Sequence, residues 1–483
     1  MPHSGFDLAA AARREMIAEG FDPDFPPAVE REAAALDSRP APVPDERHRD
    51  LRSLPWSSID NDTSRDLDQV EVAERVDGGI RVLVGIADVG RDVPCGSAID
   101  SHAAGQTTSV YTGVRTFPML PERLSTDLTS LHQDADRFAV VIEFVVAPDG
   151  SIASTGVYGA LLRNRARLTY SAVGAWFEDN APAPPAAASA ALQAQLRLQN
   201  EAAGLLRDQR HRLGALDFDR LETRATVVDG EVRGFAAHHK NQAGKMIEDF
   251  MVAANGVMAA TLRDARVSSI RRVVRAPERW PRIVEIARGL GETLPPAPDA
   301  ALLSAFLQKR KAADPLRYPD LSLAIIKLMG PGEYALSRAG DSPQGHFALA
   351  AHDYSHSTAP NRRFADLVTQ RLVNSVLAGK PAPYSDEALD EIARRCTFME
   401  DAARKVERKM NKRIAAVAIQ NRIGETFSAV VTGDTPKGVF VRILDPPLEG
   451  RLLRGQEDVD VGDRIRVKLL AADPQMGYID FER

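Results

Sequence analysis

The chain has 483 residues, of which 44% are hydrophobic and 27% are charged. These proportions are ordinary for a globular protein, and the length predicts roughly two to four domains with a large core. The net charge of -6 excludes a uniformly basic coat, so any nucleic acid has to be held by local basic patches.

Cys95 and Cys396 are the only cysteines, which argues against a disulfide framework and against a cysteine zinc site. No apolar run approaches the roughly 18 residues that span a bilayer, and the N-terminus lacks the features of a signal peptide. We therefore expect a cytoplasmic protein without membrane association.

Residues 1–50 are expected to form an accessory segment. Helices are predicted at residues 9–17 and 28–36, followed by an extended linker that contains Pro40, Pro42 and Pro44. The segment holds eleven acidic and six basic residues, which makes it a poor phosphate-binding surface. It is interpreted as packing material.

Residues 58–69, Ser-Ile-Asp-Asn-Asp-Thr-Ser-Arg-Asp-Leu-Asp-Gln, are the most informative stretch. They place Asp60, Asp62, Asp66 and Asp68 within nine residues, among side chains that favour turns. Crowded carboxylates repel one another unless a cation lies between them, and hard divalent cations prefer oxygen ligands. A solvated acidic turn explains the stretch equally well on its own.

A sheet is predicted directly behind these carboxylates. Residues 70–76, 80–87 and 138–146 are rich in β-branched side chains, and Asp-Gly-Gly at 77–79 is a turn signal. Between the strands, residues 111–121 are too rich in Pro and Gly for a regular element. Tyr111 in this stretch either stacks on a nucleobase or packs under the loop.

Several ordered motifs resemble the ribonuclease II family, whose catalytic region is called the RNB domain. They are Ser-Ile-Asp with Arg-Asp-Leu-Asp at 58–68, Ile-Ala-Asp at 86–88, Phe-Pro-Met-Leu-Pro at 117–121 and Leu-Ser-Thr-Asp-Leu-Thr-Ser-Leu at 124–131. His-Phe-Ala-Leu at 346–349 and His-Ser-Thr-Ala-Pro-Asn-Arg-Arg-Phe-Ala-Asp at 356–366 resemble a second signature. The resemblance covers roughly residues 50–410. It implies a processive 3′-to-5′ exoribonuclease that hydrolyses single-stranded RNA to nucleoside 5′-monophosphates.

The resemblance also implies a metal-dependent mechanism, for which we expect two Mg²⁺ ions, with Mn²⁺ as the alternative. Asp60, Asp66, Asp68 and Gln69 are the expected ligands, with Asp62 as a substitute. Gln69 departs from the family pattern, which has another Asp there. A Gln oxygen can bind a metal but brings no negative charge, so we expect altered metal affinity. Asp66 and Asp68 are also assigned to catalysis.

Arg362 matches the family arginine that contacts the scissile phosphate, and it is the third expected catalytic residue. Arg363 beside it is expected to bind substrate. Both are predicted to lie near a helix N-terminus that Thr358 caps and that has Pro360 in its first turn. The alternative is that Arg362 only pairs with Asp366, one turn later.

Glu248 lies on a predicted helix at residues 245–255 and matches a family acid close to the terminal nucleotide, where it could bind a ribose hydroxyl. Six arginines at residues 266–282 could line a phosphate backbone or could pair with internal carboxylates. A long helix is predicted at residues 389–417, and its nine basic residues between 394 and 422 are interpreted as an RNA-facing or simply solvated surface.

Five short strands after residue 424 fit an OB-type barrel and resemble the RNA-binding OB domain that ends many family members. The strands are predicted at residues 427–432, 438–443, 450–453, 464–470 and 477–481. The expected RNA contacts are Phe427, Lys437, Phe440 and Arg442, each of which is equally compatible with a place in the barrel core.

The predicted fold is α+β, with a mixed sheet and packed helices followed by a small all-β barrel. The predicted divisions are an N-terminal helical segment and linker (1–50), an RNB-type catalytic domain (51–422) and an OB domain (423–483). Fifty residues are too few for the cold-shock domains of bacterial relatives, so we expect a more open entrance that tolerates structured RNA.

The expected partner is RNA with a single-stranded 3′ end, bound by a monomer without a small-molecule cofactor. The main alternative is a non-catalytic RNA-binding protein that keeps the fold, and Gln69 is the residue that favours it. A hydrolase that uses His356 with Cys396 is a further possibility.

Overall fold

A computed structural model describes residues 6–38, 42–43, 45–179, 181–218, 222–228, 230–238, 240–315, 317–342, 344–435 and 438–483. Helices and a mixed sheet make up the body, and a closed five-stranded barrel forms the C-terminus. The predicted α+β fold class with a C-terminal barrel is therefore confirmed. No helix within the described ranges has the length and apolar character needed to cross a membrane.

The body is built around a seven-stranded sheet with the order β1-β8-β7-β4-β3-β2-β9. Strands β3, β4, β7 and β8 pair antiparallel, whereas β1 and β2 add parallel contacts to β8 and β9. The strands of the body are β1 (His48–Asp50), β2 (Ser57–Asp60), β3 (Gln69–Val76), β4 (Gly79–Ala87), β5 (Val110–Tyr111), β6 (Thr116–Phe117), β7 (Asp136–Val146), β8 (Ile152–Arg163), β9 (Ala166–Thr169), β10 (Glu222–Val228), β11 (Glu231–His238), β12 (Ser269–Val273) and β13 (Glu333–Ser337).

Helices cover the sheet and enclose the core. Val84 and Ile86 on one face of the central strands and Val141 on the other face are fully buried, as expected for strands packed on both faces. The helices are α1 (Leu8–Ala18), α2 (Pro27–Ala35), α3 (Val89–Asp92), α4 (Ala98–Gln106), α5 (Tyr170–Glu178), α6 (Ala190–Arg212), α7 (Gln242–Asp264), α8 (Trp280–Gly289), α9 (Ala300–Ala313), α10 (Tyr318–Met329), α11 (Phe364–Leu377) and α12 (Asp386–Ile419).

The predicted start of the helix in the second signature is wrong. Helix α11 begins at Phe364, so Thr358 does not cap it and Pro360 is not in its first turn. The preceding residues pair instead with a distant segment, because the Phe364 N–H donates to the Thr107 carbonyl at 2.8 Å. The Asp366 carboxylate also accepts the Ala359 N–H at 2.9 Å, which holds the chain in a turn before the helix.

The N-terminal helix α1 packs on the long helix α12 through both apolar and charged contacts. Glu15 accepts hydrogen bonds from Lys409 at 2.9 Å and from Arg413 at 2.5 Å, and Glu19 accepts from Lys409 at 2.8 Å. Part of the basic surface of α12 is therefore neutralised by acidic residues of α1.

The arginine-rich segment 266–282 is also largely paired within the protein. Arg271 and Arg272 are buried, and their side chains lie 2.5 Å from Asp353 and 2.6 Å from Glu400. Two exposed members are paired as well, Arg275 with Glu333 at 2.7 Å and Arg282 with Glu285 at 2.6 Å. For these four arginines the structure favours pairing with carboxylates of the protein over binding of an RNA phosphate backbone.

The C-terminal barrel has the strand order β14-β15-β16-β18-β17. Phe427 lies in its core against Phe481, with ring centroids 6.5 Å apart, so the expectation that Phe427 contacts RNA is wrong. The strands are β14 (Thr426–Thr435), β15 (Gly438–Ile443), β16 (Glu449–Arg454), β17 (Arg464–Asp473) and β18 (Tyr478–Glu482).

Candidate active site

The acidic loop and the second signature meet beside the sheet. The loop joins β2, which ends at Asp60, to β3, which begins at Gln69. Asp68 at the end of the loop lies against the second signature: its Oδ2 is 3.5 Å from Arg362 Nε, and its Oδ1 accepts the Asn361 N–H at 3.4 Å. Two motifs that are almost 300 residues apart in sequence thus form one site.

The positive charge around the carboxylates of this site does not balance their negative charge. Burial raises the pKa of Asp68 to about 7, although Arg362 opposes this effect, and the neighbouring Asp66 and Asp60 raise it further. Burial also raises the pKa of Asp66. A cation would relieve both the mutual repulsion and the cost of burying the negative charges.

The chemistry of the donors suits a hard cation, because Asp60, Asp66 and Asp68 offer only oxygen atoms. Their side chains are not already arranged around one point: within the described ranges, no three His, Cys, Asp or Glu side chains form a cation site. The Asp60 carboxylate instead accepts the Asn61 N–H at 2.6 Å and the Ser64 hydroxyl at 2.8 Å. Both bonds use Oδ1 of Asp60.

Gln69 and Asp62 have protein partners of their own. The buried Gln69 side chain donates from Nε2 to the Ile59 carbonyl at 3.4 Å. This bond uses the amide nitrogen, so it does not compete with metal binding through the amide oxygen. Asp62 is exposed, and it accepts a hydrogen bond from Ser171 at 2.6 Å. Metal ligation by Gln69 stays a prediction.

Glu71 is a buried carboxyl group for which no role was predicted from sequence. It is fully buried on β3, and neither of its oxygens has a hydrogen-bond partner among the described residues. Burial, reinforced by the charge of Asp60, raises its pKa well above the ordinary value. The only sequence signal was an acid between Val70 and Val72 in the first half of a predicted strand.

Tyr111 lies at the edge of the same site. It ends the short strand β5, its side chain is 43% exposed, and its hydroxyl is close enough to feel the charges of Arg362, Asp66 and Asp68. An exposed aromatic ring beside the carboxylates is suited to stack on a base.

A cavity of about 630 Å³ opens next to the acidic loop. Asn61 and Glu248 line it, and Glu248 pairs with Lys240 at 2.7 Å. Tyr170 and Phe218 also line it, although neither had a role predicted from sequence. Tyr170 lies in the field of Asp60, Arg362 and Glu248, which connects the cavity to the carboxylate cluster.

The structure does not bring Arg363 to the acidic loop. Its Nη2 lies 2.7 Å from the buried Asp366, whereas Arg362 has Asp68 as its carboxylate partner. The pairing with Asp366 that was considered for Arg362 thus belongs to its neighbour. Substrate binding by Arg363 stays a prediction.

Cys396 lacks the reactivity that a cysteine hydrolase requires. Burial raises the pKa of its thiol to about 12, so the nucleophilic thiolate does not form near pH 7. The chemistry of this residue therefore argues against a hydrolase that uses His356 with Cys396.

Phe440 in β15 is a half-buried residue of the barrel. It lies between the core residues Val439 and Val441. Lys437, for which an RNA contact was also predicted, lies outside the described residues. RNA binding by Phe440 and by Lys437 stays a prediction.

Two ribonuclease family models match this chain. The family model of the RNB domain matches residues 48–379, and that of the RNase II-type exonuclease C-terminal S1 domain matches residues 425–483. Ribonuclease R of Vibrio parahaemolyticus is 29% identical over 509 residues, an alignment that covers 95% of this chain and 59% of the relative. Ribonuclease R of Vibrio cholerae is 29% identical over 523 residues, an alignment that covers 99% of this chain and 61% of that relative. The chain spans about three fifths of the length of these curated relatives.

The fold is also that of a solved relative. The structure of Mycoplasma genitalium RNase R in complex with ribose methylated single-stranded RNA matches with a TM-score of 0.88 at 24% identity. The match covers 99% of this chain and 78% of that one. It includes the body that carries the carboxylate cluster and the C-terminal barrel.

Proposed function

The chain belongs to the RNB-domain family of ribonuclease II-type proteins, and from this premise we propose that it hydrolyses single-stranded RNA from the 3′ end and releases nucleoside 5′-monophosphates. The observation that carries the proposal is the contact of Asp68 with Arg362 beside the cavity. It joins a carboxylate suited to a cation with a guanidinium suited to a phosphate.

The proposed cofactor is Mg²⁺, with Mn²⁺ as a substitute, held by Asp66 and Asp68 together with Asp60 and the amide oxygen of Gln69. When bound, the metal supplies an activated water and neutralises charge on the reacting phosphate. The raised pKa of Asp66 and of Asp68 supports this assignment, because Asp68 is buried and Asp66 is half-buried without enough positive charge around them.

The chain's own residues then position the RNA. Arg362 donates hydrogen bonds to the non-bridging oxygens of the last phosphodiester and stabilises the charge that grows there in the transition state. Tyr111 stacks on a base near the 3′ end. Glu248, at the cavity wall, accepts a hydrogen bond from a hydroxyl of the terminal ribose.

We also propose a cytoplasmic monomer that acts on RNA without a small-molecule cofactor. The two free cysteines fit a reducing compartment. Phe440 of the barrel and Arg363 of the body are proposed as further RNA contacts.

The experiment is a time course with 5′-labelled single-stranded RNA in Mg²⁺ or in EDTA. Progressive shortening to one small end product, together with release of mononucleotides only in Mg²⁺, is the expected result. A second RNA labelled at the 3′ end should release its label as mononucleotide from the first time point. Intact RNA that is only retarded in a gel would contradict the proposal and support a non-catalytic RNA-binding protein.

A further inference from the structure

The cavity beside the acidic loop is lined by many charged side chains. Tyr170, on its wall, lies in the field of Asp60 and Arg362, so this part of the wall is close to the carboxylates. The described charged residues of the lining are Arg207, Arg210, Asp217, Lys240, Lys245, Glu248, Asp249 and Lys311.

The part of the cavity lining that the structure describes carries excess positive charge. Arg207 and Arg210 share one carboxylate, the buried Asp249, and Lys311 pairs with Asp217 at 2.9 Å. Lys245 makes no ion pair with any residue that the structure describes. Lys240 pairs with Glu248. Among the described residues of the lining, five cations thus face three carboxylates, an excess of two positive charges, and burial lowers the pKa of the neighbouring His211.

Lys245 occupies an unfavourable position for a structural lysine. It lies in the first turn of α7, which contains no acidic residue, and the helix dipole disfavours a cation there. An anion held in the cavity would offset this cost. The excess of two positive charges would also balance a phosphate monoester, which carries about -1.5 to -2 charge at pH 7.

The following inference rests on the proposed function, which indicates which part of the RNA would carry a phosphate monoester into the cavity. With the scissile phosphate at Arg362 and the terminal ribose at Glu248, a substituent on the terminal 3′ oxygen would lie beside Glu248, and Lys245 is one helical turn away from Glu248 in the same cavity lining. We propose that the cavity accepts RNA whose 3′ terminus carries a phosphate monoester, and that Lys245 binds this phosphate.

The first hydrolytic step on such an RNA has a distinctive product. Water adds its oxygen to the last internal phosphorus, the bond from that phosphorus to the penultimate 3′ oxygen breaks, and that oxygen takes up a proton. The released nucleotide keeps its own 3′ phosphate, so it is a nucleoside 3′,5′-bisphosphate. All later products are ordinary 5′-monophosphates.

The test compares two RNAs of one sequence that end in a 3′ hydroxyl or a 3′ phosphate. The intact protein should degrade both and release one bisphosphate per molecule of the phosphorylated RNA, identified by chromatography of a 3′-terminal label. Lys245→Gln should lower the ratio of kcat/KM for the phosphorylated over the hydroxyl RNA by about tenfold or more, the loss expected for a hydrogen bond to a charged group. Lys380→Gln, at an exposed position outside the cavity, should leave the ratio unchanged.

A binding measurement separates this proposal from the proposed function. In EDTA, fluorescence anisotropy should show tighter binding of the phosphorylated RNA, and Lys245→Gln should abolish the difference. This result would support the site even if neither RNA were cleaved, which would count against the hydrolase assignment alone. The proposal would be overturned if both RNAs bound with equal affinity. It would also be overturned if the protein degraded the RNA with a 3′ hydroxyl but not the RNA with a 3′ phosphate.

Discussion

At the scale of single residues, Gln69 provides an oxygen without a negative charge at the position where the family resemblance places a fourth carboxylate. Gln69→Asp should tighten Mn²⁺ binding by about tenfold or more, because affinity rises with the number of charged ligands. The same change should lower the melting temperature in EDTA, since it adds a charge to an already crowded cluster. Calorimetric titration with Mn²⁺ and thermal melts provide the two measurements.

The control is Gln475→Asp, at an exposed turn of the barrel, which should change neither quantity. If Gln69→Asp lowered the melting temperature but left Mn²⁺ affinity unchanged, Gln69 would serve only the hydrogen bond to the Ile59 carbonyl.

His356 tests how burial affects folding stability as pH changes. The buried ring lies 2.8 Å from the Tyr334 hydroxyl, and burial, followed by the charges of Arg363 and Arg272, lowers its pKa well below 6.5. The folded state therefore stays neutral where the unfolded chain binds a proton, and stability is lost as pH falls below about 6.5. His356→Gln removes this titration.

The advantage in unfolding free energy of the natural protein over His356→Gln should shrink by about 1.4 kcal/mol for each pH unit below about 6.5. Urea unfolding at pH 7.5, 6.5 and 5.5 measures it. A difference that stayed constant over this range would show that the ring binds a proton as readily in the folded protein as in the unfolded chain.

Asp60, Asp66 and Asp68 could be proposed from sequence because carboxylates crowded in one loop are visible without a structure. Arg362 could be proposed because its motif resembles a family signature. Glu71 and Tyr170 could not be proposed from sequence. Glu71 follows closely after the acidic loop in β3 but belongs to no motif, and Tyr170 comes to the loop through the pairing of β2 with β9, after which it begins α5. The carboxylate partners of Arg362 and Arg363 could not be predicted from sequence either. The two arginines are adjacent, but one contacts Asp68 and the other contacts Asp366.

At the scale of elements, the docking of α1 on α12 depends on Glu15, which binds both Lys409 and Arg413. Glu15→Gln should lower the free energy of unfolding by about 1–3 kcal/mol, because it leaves the largely buried Arg413 without its charged partner. Urea denaturation measures the change. The exposed Glu278→Gln is the matched control, and equal stability of the two variants would contradict the role given to this contact.

Periodic elements could be predicted from sequence, whereas their boundaries depended on distant residues. The strand pattern at residues 70–87 and the apolar spacing at residues 389–417 correspond to β3, β4 and α12. The start of α11 could not be predicted, because the bond to Thr107 and the turn held by Asp366 both arise from tertiary contacts.

At the scale of the whole molecule, the barrel is proposed to hold RNA that enters the body. Phe440 lies on β15 between two core residues and is half-buried, which leaves part of its ring accessible. Phe440→Ala should weaken binding of a 20-nucleotide RNA by about 1–3 kcal/mol, the usual contribution of a stacked base. Anisotropy titrations provide the affinity, and a thermal melt of the same variant checks the fold. A lower melting temperature with unchanged affinity would assign Phe440 to barrel packing.

Substitution of Asp68 separates RNA binding from cleavage, and it decides whether the acidic loop is a catalytic metal site. Asp68→Asn removes the charge that a cation requires but keeps the shape and the acceptor for the Asn361 N–H, so the fold and the RNA contacts should remain. We expect single-turnover hydrolysis of a 5′-labelled RNA in Mg²⁺ to fall by about a hundredfold to a thousandfold. RNA affinity should stay within about twofold of that of the exposed control Asp77→Asn. Hydrolysis at the natural rate, or a parallel loss of binding and cleavage, would contradict the assignment.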